Sequence, residues 1–234
     1  MNCSQVEIAG KPAELLLPSG TPRGVCVFLH GYDGVTLKDN AAYHAALEQQ
    51  QLACLCPLGP HCWWTLEVWP EFDPAISPVE FVGTSVVEFL RERFPDSTES
   101  LSIFGVEMGG QGALQVAYRY PRIYGTVVAI SPKVDFETWH GHGTTLDAMF
   151  PDREAARQRI ATLHINPLNW PKRQLLLCDP SDHYCLDGVQ TLASKLMSSG
   201  VPFEEDLKTT AGGFGWNYAN HMADRVVSFL AAGK

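Results

Sequence analysis

The stretch "LSIFGVEMGGQGAL" (101–114) decides the fold. An apolar run from Leu101 to Phe104 meets a tight turn rich in glycine and then a helix-like segment. A short apolar run bounded by turn residues is a buried strand, and apolar positions at helical spacing mark the helix that follows. At the bend between them stands Glu107, a carboxylate at the sharpest point of the chain.

The same alternation extends in both directions. "VCVFL" (25–29), "LACLC" (52–56), "TVVAI" (126–130), "QLLLC" (174–178) and, more weakly, "FEEDL" (203–207) read as strands. Helices are expected at about 40–50, 79–94, 109–119, 187–199 and 217–232. Near-continuous apolar strands separated by helices imply a doubly wound α/β fold, a mostly parallel sheet with helices on both faces. With 234 residues, 45% of them hydrophobic and 18% charged, the chain builds one core and reads as a single domain over 1–234. One long irregular insertion, at about 131–171, leaves a strand end. It is expected to cover the site, because ligands of such sheets bind beyond the carboxyl ends of the strands.

Composition removes several classes of partner. The formal charge is -9 and the 17 Lys and Arg are scattered, so no basic patch serves nucleic acid or an anionic membrane surface. The N-terminus lacks a basic segment followed by an apolar one, and no run approaches the roughly 20 apolar residues of a membrane helix. A cytoplasmic protein without membrane association is the expectation. The seven cysteines lack zinc-ribbon spacing. Cys26, Cys54, Cys56 and Cys178 fall in strand runs as small buried hydrophobes, and Cys62 and Cys185 fall in loops with no adjacent base. His140 and His142 form an i, i+2 pair without a placed third ligand, so neither a metal nor a cofactor is expected.

Three strand ends carry the chemistry. The bend at Glu107 has the context of the G-x-S-x-G nucleophile elbow, with glutamate where serine belongs. In "FLHGYDG" (28–34) the backbone at Gly31 and Tyr32 supplies half of an oxyanion hole, and the N–H of Met108 supplies the other half. "CDPSDHYCLDG" (178–188) places Asp182, with His183 beside it, between a strand and a helix. "TAGGFGWNYANHM" (210–222) is a Gly-rich turn that carries Phe214 into the last helix. Trp63 and Trp64 either line a pocket or pack in the core.

The segment "SIFGVEMGGQGALQVAYRYPRIYGTVVAISP" (102–132) resembles the esterase D (S-formylglutathione hydrolase) and mycolyltransferase-like esterase family, whose elbow reads G-x-S-M-G-G-x-G-A-L. The resemblance runs on through "VFLHGYDG", "CWWTLEVWPEFDP", Asp182 and "GGFGWNY", so it covers most of the chain. It implies the α/β-hydrolase fold and a Ser, Asp, His triad for ester hydrolysis. This chain departs from it twice: Glu107 stands at the serine position and Phe214 at the histidine position, with Asp182 retained.

Phe214 neither accepts a proton nor returns one, and loss of a triad member costs about a millionfold in turnover. Two readings follow. In the favoured one the Glu107 carboxylate curls into the oxyanion hole, accepts the Met108 and Tyr32 N–H groups, and leaves a shell that binds a small ligand or a partner without turnover. In the other, the protein hydrolyses an ester-like substrate. Glu107 then acts as a nucleophile served by His183 or His221, or as a general acid beside Asp182. His30 is expected to be a hydrogen-bonded loop histidine and His221 a capping or packing residue. Ser131 and Ser181 lack the geometry of an elbow.

Overall fold

The computed structural model describes residues 1–97 and 100–233. Eight strands form one sheet: β1 (Asn2–Ile8), β2 (Lys11–Leu17), β3 (Gly24–Leu29), β4 (Leu52–Pro57), β5 (Leu101–Val106), β6 (Tyr124–Ile130), β7 (Arg173–Leu177) and β8 (Glu204–Asp206). Their spatial order is β1-β2-β4-β3-β5-β6-β7-β8. The pairs β1/β2 and β2/β4 are antiparallel and all later pairs are parallel. All six strands expected from the sequence form, and β1 and β2 are additional. Those two make a hairpin over Ala9 and Gly10, whose φ angles of 47° and 77° suit a two-residue turn. The mixed polarity of β1, half of it exposed at the sheet edge, hid it from a search for apolar runs.

The helices are α1 (Ala41–Gln50), α2 (Pro78–Gly83), α3 (Ser85–Arg93), α4 (Met108–Arg119), α5 (Leu146–Met149), α6 (Arg153–Arg157), α7 (Leu186–Ser198), α8 (Trp216–His221) and α9 (Ala223–Ala231). Two of the expected helices are each broken in two. The 79–94 helix breaks at Thr84, and the 217–232 helix breaks at Met222. The 131–171 insertion is less irregular than its composition suggests, since α5 and α6 lie within it.

Apolar side chains cover both faces of the sheet. On one face Val79, Val82, Leu114, Leu192 and Leu196 pack against Val27, Ile103 and Val127. On the other, Tyr43, Leu47, Val226 and Leu230 pack against Phe28, Phe104 and Val128. This two-sided burial is why the central strands read as unbroken apolar runs.

The strand order reverses direction at β3, which lies between β4 and β5. Such a switch point leaves a crevice at the carboxyl ends of the two diverging strands, here Gly31–Tyr32 after β3 and Glu107 after β5. Close packing beneath it depends on glycine. A Cβ on Gly109 would overlap the Leu29 carbonyl, and one on Gly105 would overlap the backbone of Gly109.

Candidate active site of an elbow with a carboxylate

Glu107 caps α4 with φ 50° and ψ -111°, a left-handed backbone that non-glycine residues adopt at a cost. Its amide donates to Ile130 O at 3.0 Å and its carbonyl accepts from Lys133 N at 3.2 Å, so the sheet on one side and the insertion on the other hold the bend. The side chain folds back over Gly31, where any Cβ would sit 3.0 Å from Oε2. Oε2 accepts the Tyr32 N–H at 2.6 Å, and the neighbouring Met108 N–H favours the charged carboxylate without closing a hydrogen bond to it. These are the two donors that the motifs assign to an oxyanion hole. Oε1 is buried with no hydrogen-bond donor.

Burial pushes the Glu107 carboxyl above its ordinary value, and the Asp33 carboxylate adds to the effect. The Met108 and Tyr32 N–H groups and the Lys133 ammonium act against it. A raised carboxyl holds its proton longer folded than unfolded, so it favours the fold below the ordinary value of 4.5 and loses that contribution as pH rises through the folded value. Glu107→Gln keeps an oxygen for Tyr32 N–H and removes the ionisation. Its melting temperature should exceed wild type by roughly 2–6 °C at pH 8, and by much less at pH 5, in paired thermal scans.

A cavity of ≈ 290 Å³ opens beside the elbow. Val106 and Ile130 line it from the strand ends, and Tyr32, Trp139, Phe214 and Trp216 supply aromatic walls. Asp33 and Glu107 are its acids, and no histidine, lysine or arginine lines it among the described residues. The insertion does reach this edge. Trp139 lines the cavity, Thr145 N donates to Tyr32 Oη at 3.2 Å, and Thr145 Oγ1 donates to His61 O at 2.6 Å.

Of the residues singled out from sequence, Glu107, Gly31, Tyr32 and Phe214 line the cavity, and Met108 does not. Its side chain is fully buried, with Sδ accepting the Trp63 N–H at 3.3 Å. Trp63 and Trp64 are core residues and not pocket walls. Both are fully buried at φ 54° and 46°, and Trp64 Nε1 donates to His30 O at 3.1 Å. Trp64 fills the space a Cβ on Gly112 would take, which explains that glycine. His183 is exposed and does not line the cavity, because the turn after Asp182 directs it to solvent. His221 is also exposed, at the end of α8, and is no packing residue. His30 is buried, with Nδ1 2.7 Å from Gly31 O and Nε2 accepting Gly59 N–H at 3.0 Å. Burial lowers its pKa, which suits a neutral structural ring.

Asp182 does not pair with Glu107. It is fully buried outside the cavity, and Oδ1 accepts the N–H groups of Tyr184 and Cys185, each at 3.0 Å, capping the entry to α7. Its Oδ2 has the Cys178 thiol at 3.7 Å. Ser131 lines the cavity at φ 41°, but the group beside its hydroxyl is the Cys178 thiol, which burial pushes up to about 12.

Asp179 was not singled out from sequence, although it holds the last loop in place. Its Oδ2 accepts Ala211 N at 2.6 Å and Gly213 N at 2.9 Å, while Oδ1 accepts Ser181 N at 2.8 Å. The Ser181 contact is an Asx-turn, which "DPS" could have signalled; the bonds to residues 211 and 213 span the fold and leave no local trace.

An elbow at the switch point, a hole built from two loop amides and an acid after β7 define the α/β-hydrolase architecture. Residues 69–175 match the family described as "Putative esterase". An S-formylglutathione hydrolase from Agrobacterium tumefaciens superposes with a TM-score of 0.78 at 16% identity, over 99% of this chain and 93% of its own. S-formylglutathione hydrolase FrmB from Staphylococcus aureus gives 0.81 at 13% identity, over 99% and 100%. MPT51 of Mycobacterium tuberculosis gives 0.74 at 14%, over 98% and 99%. No curated protein matches the sequence significantly. Among the described residues no group of His, Cys, Asp and Glu is placed to hold a metal, and no helix is long and apolar enough to cross a membrane.

Proposed function

We propose that this esterase-like α/β-hydrolase is a non-hydrolytic binding protein that takes a small, largely apolar ligand into the cavity beside the elbow. The observation that carries the reading is the position of the Glu107 carboxylate. It accepts the Tyr32 N–H and lies against the Met108 N–H, the two groups that would otherwise stabilise a tetrahedral oxyanion. The oxyanion site is therefore occupied by an acid of the chain's own, while the cavity beside it stays open. Phe214 stands where a proton carrier would be needed, and its ring lines the cavity.

The carboxylate-nucleophile alternative is weaker on the same geometry. No imidazole lines the cavity among the described residues to activate water for the second step, so an ester formed on Glu107 would not be released. The acidic balance of the chain, -9, favours a small-molecule ligand over nucleic acid.

The wild-type protein should turn over neither p-nitrophenyl acetate nor S-formylglutathione measurably above the buffer rate, and a fluorophosphonate should label none of its serines. Steady-state assay and intact-mass spectrometry read both. Saturable hydrolysis abolished by Glu107→Gln would overturn the proposal in favour of the nucleophile.

A further inference from the structure

Resting on the non-hydrolytic reading, we propose that the cavity selects an organic ammonium ion, a protonated amine on a compact apolar body. Its charged lining has one sign: Glu107 and Asp33 face it, and no cationic side chain does among the described residues. Glu107 is 8% exposed, and with Oε2 satisfied by Tyr32 N–H its Oε1 still lacks a donor. Buried acceptors are nearly always paired, so the uncompensated charge of this carboxylate favours a cation in the adjoining cavity. An anion meets the opposite situation. The Tyr32 amide that would hold it is taken by Glu107, and it would face two carboxylates across a medium of low polarity.

The aromatic walls favour the same sign of charge. Ring faces are negative, and a cation within about 6 Å of a ring centroid is attracted to it most strongly when water is excluded. Tyr32, Trp139, Phe214 and Trp216 all line the cavity. The rings are held in advance of any ligand. Trp216 Nε1 donates to Asp33 Oδ2 at 3.0 Å, and Asp33 Oδ1 accepts Val35 N–H at 3.0 Å. Trp139 and Phe214 both pack edgewise against Tyr184, at 6.3 and 5.5 Å between centroids. The Lys133 ammonium, which acts on Glu107, is engaged elsewhere. It pairs with Asp135 at 3.0 Å and donates to Tyr184 O at 2.7 Å. A hydrolase pocket stabilises negative charge at this spot, and here the same backbone presents a negative group to a positive ligand.

The cavity, ≈ 290 Å³, suits a single ring on a short chain. Isothermal titration with 2-phenylethylammonium, its neutral isostere 2-phenylethanol and the anion 3-phenylpropionate tests the assignment at pH 7.5. The amine should bind at least about tenfold more tightly than the alcohol, and the acid should not bind. Glu107→Gln, checked for folding by thermal melting, should bring amine and alcohol within about threefold of each other. Amine affinity should also rise from pH 5 to pH 8 as Glu107 ionises. The groups that face it are Asp33 from the loop after β3, Lys133 after β6 and the Cys185 thiol ahead of α7. Equal binding of amine and alcohol, tighter binding of the acid, an unchanged preference in Glu107→Gln, or no amine binding at millimolar concentration would each overturn the assignment. Failure here with inert ester assays removes the ammonium assignment alone, whereas ester turnover removes the binding-protein reading beneath it.

Discussion

The double variant Glu107→Ser, Phe214→His should hydrolyse p-nitrophenyl acetate at least about a hundredfold faster than wild type, with neither single variant exceeding a few-fold gain. The elbow is already built. Serine at φ 50° would start from the same strained backbone, and removing the glutamate frees the Tyr32 N–H and uncovers the Met108 N–H for an oxyanion. The final loop is also held in place, because Asp179 grips the amides of Ala211 and Gly213 on the N-terminal side of residue 214. Asp182 has one oxygen to spare: Oδ1 is used by two amides, while Oδ2 has only the Cys178 thiol at 3.7 Å. An imidazole at 214 would need that oxygen to fix its tautomer.

Serine, base and hole act as a unit, so the gain should be strongly non-additive. Steady-state rates for the four proteins, with fluorophosphonate labelling of the new serine, measure it. A double variant no faster than wild type would mean that the elbow, the final loop and Asp182 do not stand in hydrolytic geometry.

Much of this was legible in residues, for reasons that also mark where legibility stops. The central strands β3, β5 and β6 are buried on both faces, so each is an unbroken apolar run bounded by turns. Glu107 could be placed because a glycine-dense turn between such a strand and an amphipathic helix admits few conformations. Trp63 and Trp64 could not be assigned, since a tryptophan pair has the same sequence signature in a core as on a pocket wall. Their burial follows from a long-range fit of Trp64 against Gly112 and Trp63 against Met108. The acids after β7 show the same limit. Asp182 has the position of the triad acid, yet in this chain it serves the turn into α7, and Asp179 three residues earlier spans the fold.

Asp179→Ala should cost about 3 kcal/mol and lower the melting temperature by roughly 6–12 °C. Asp179 is fully buried and accepts three backbone N–H groups, and alanine leaves all three without a partner. Asn should recover only part of the loss, because its amide keeps one accepting oxygen and turns an NH2 toward donors on the other side. Burial alone would raise the Asp179 carboxyl, but the amides of Ala211, Ser181 and Gly213 prevail and hold it below its ordinary 3.8. A lowered carboxyl adds stability above the ordinary value and loses it as pH falls through the folded value. The gap between wild type and Asp179→Ala should therefore stay constant from pH 8 to pH 5 and close below about pH 4. Differential scanning calorimetry across that range measures it. Function should follow the loop. Phe214, Gly215 and Trp216 form one wall of the cavity, so the variant should lose about tenfold in affinity for 2-phenylethylammonium even well below its melting temperature. A variant that melts early yet binds the amine as wild type does would show that the wall is held by Trp216 and Asp33 and not by Asp179.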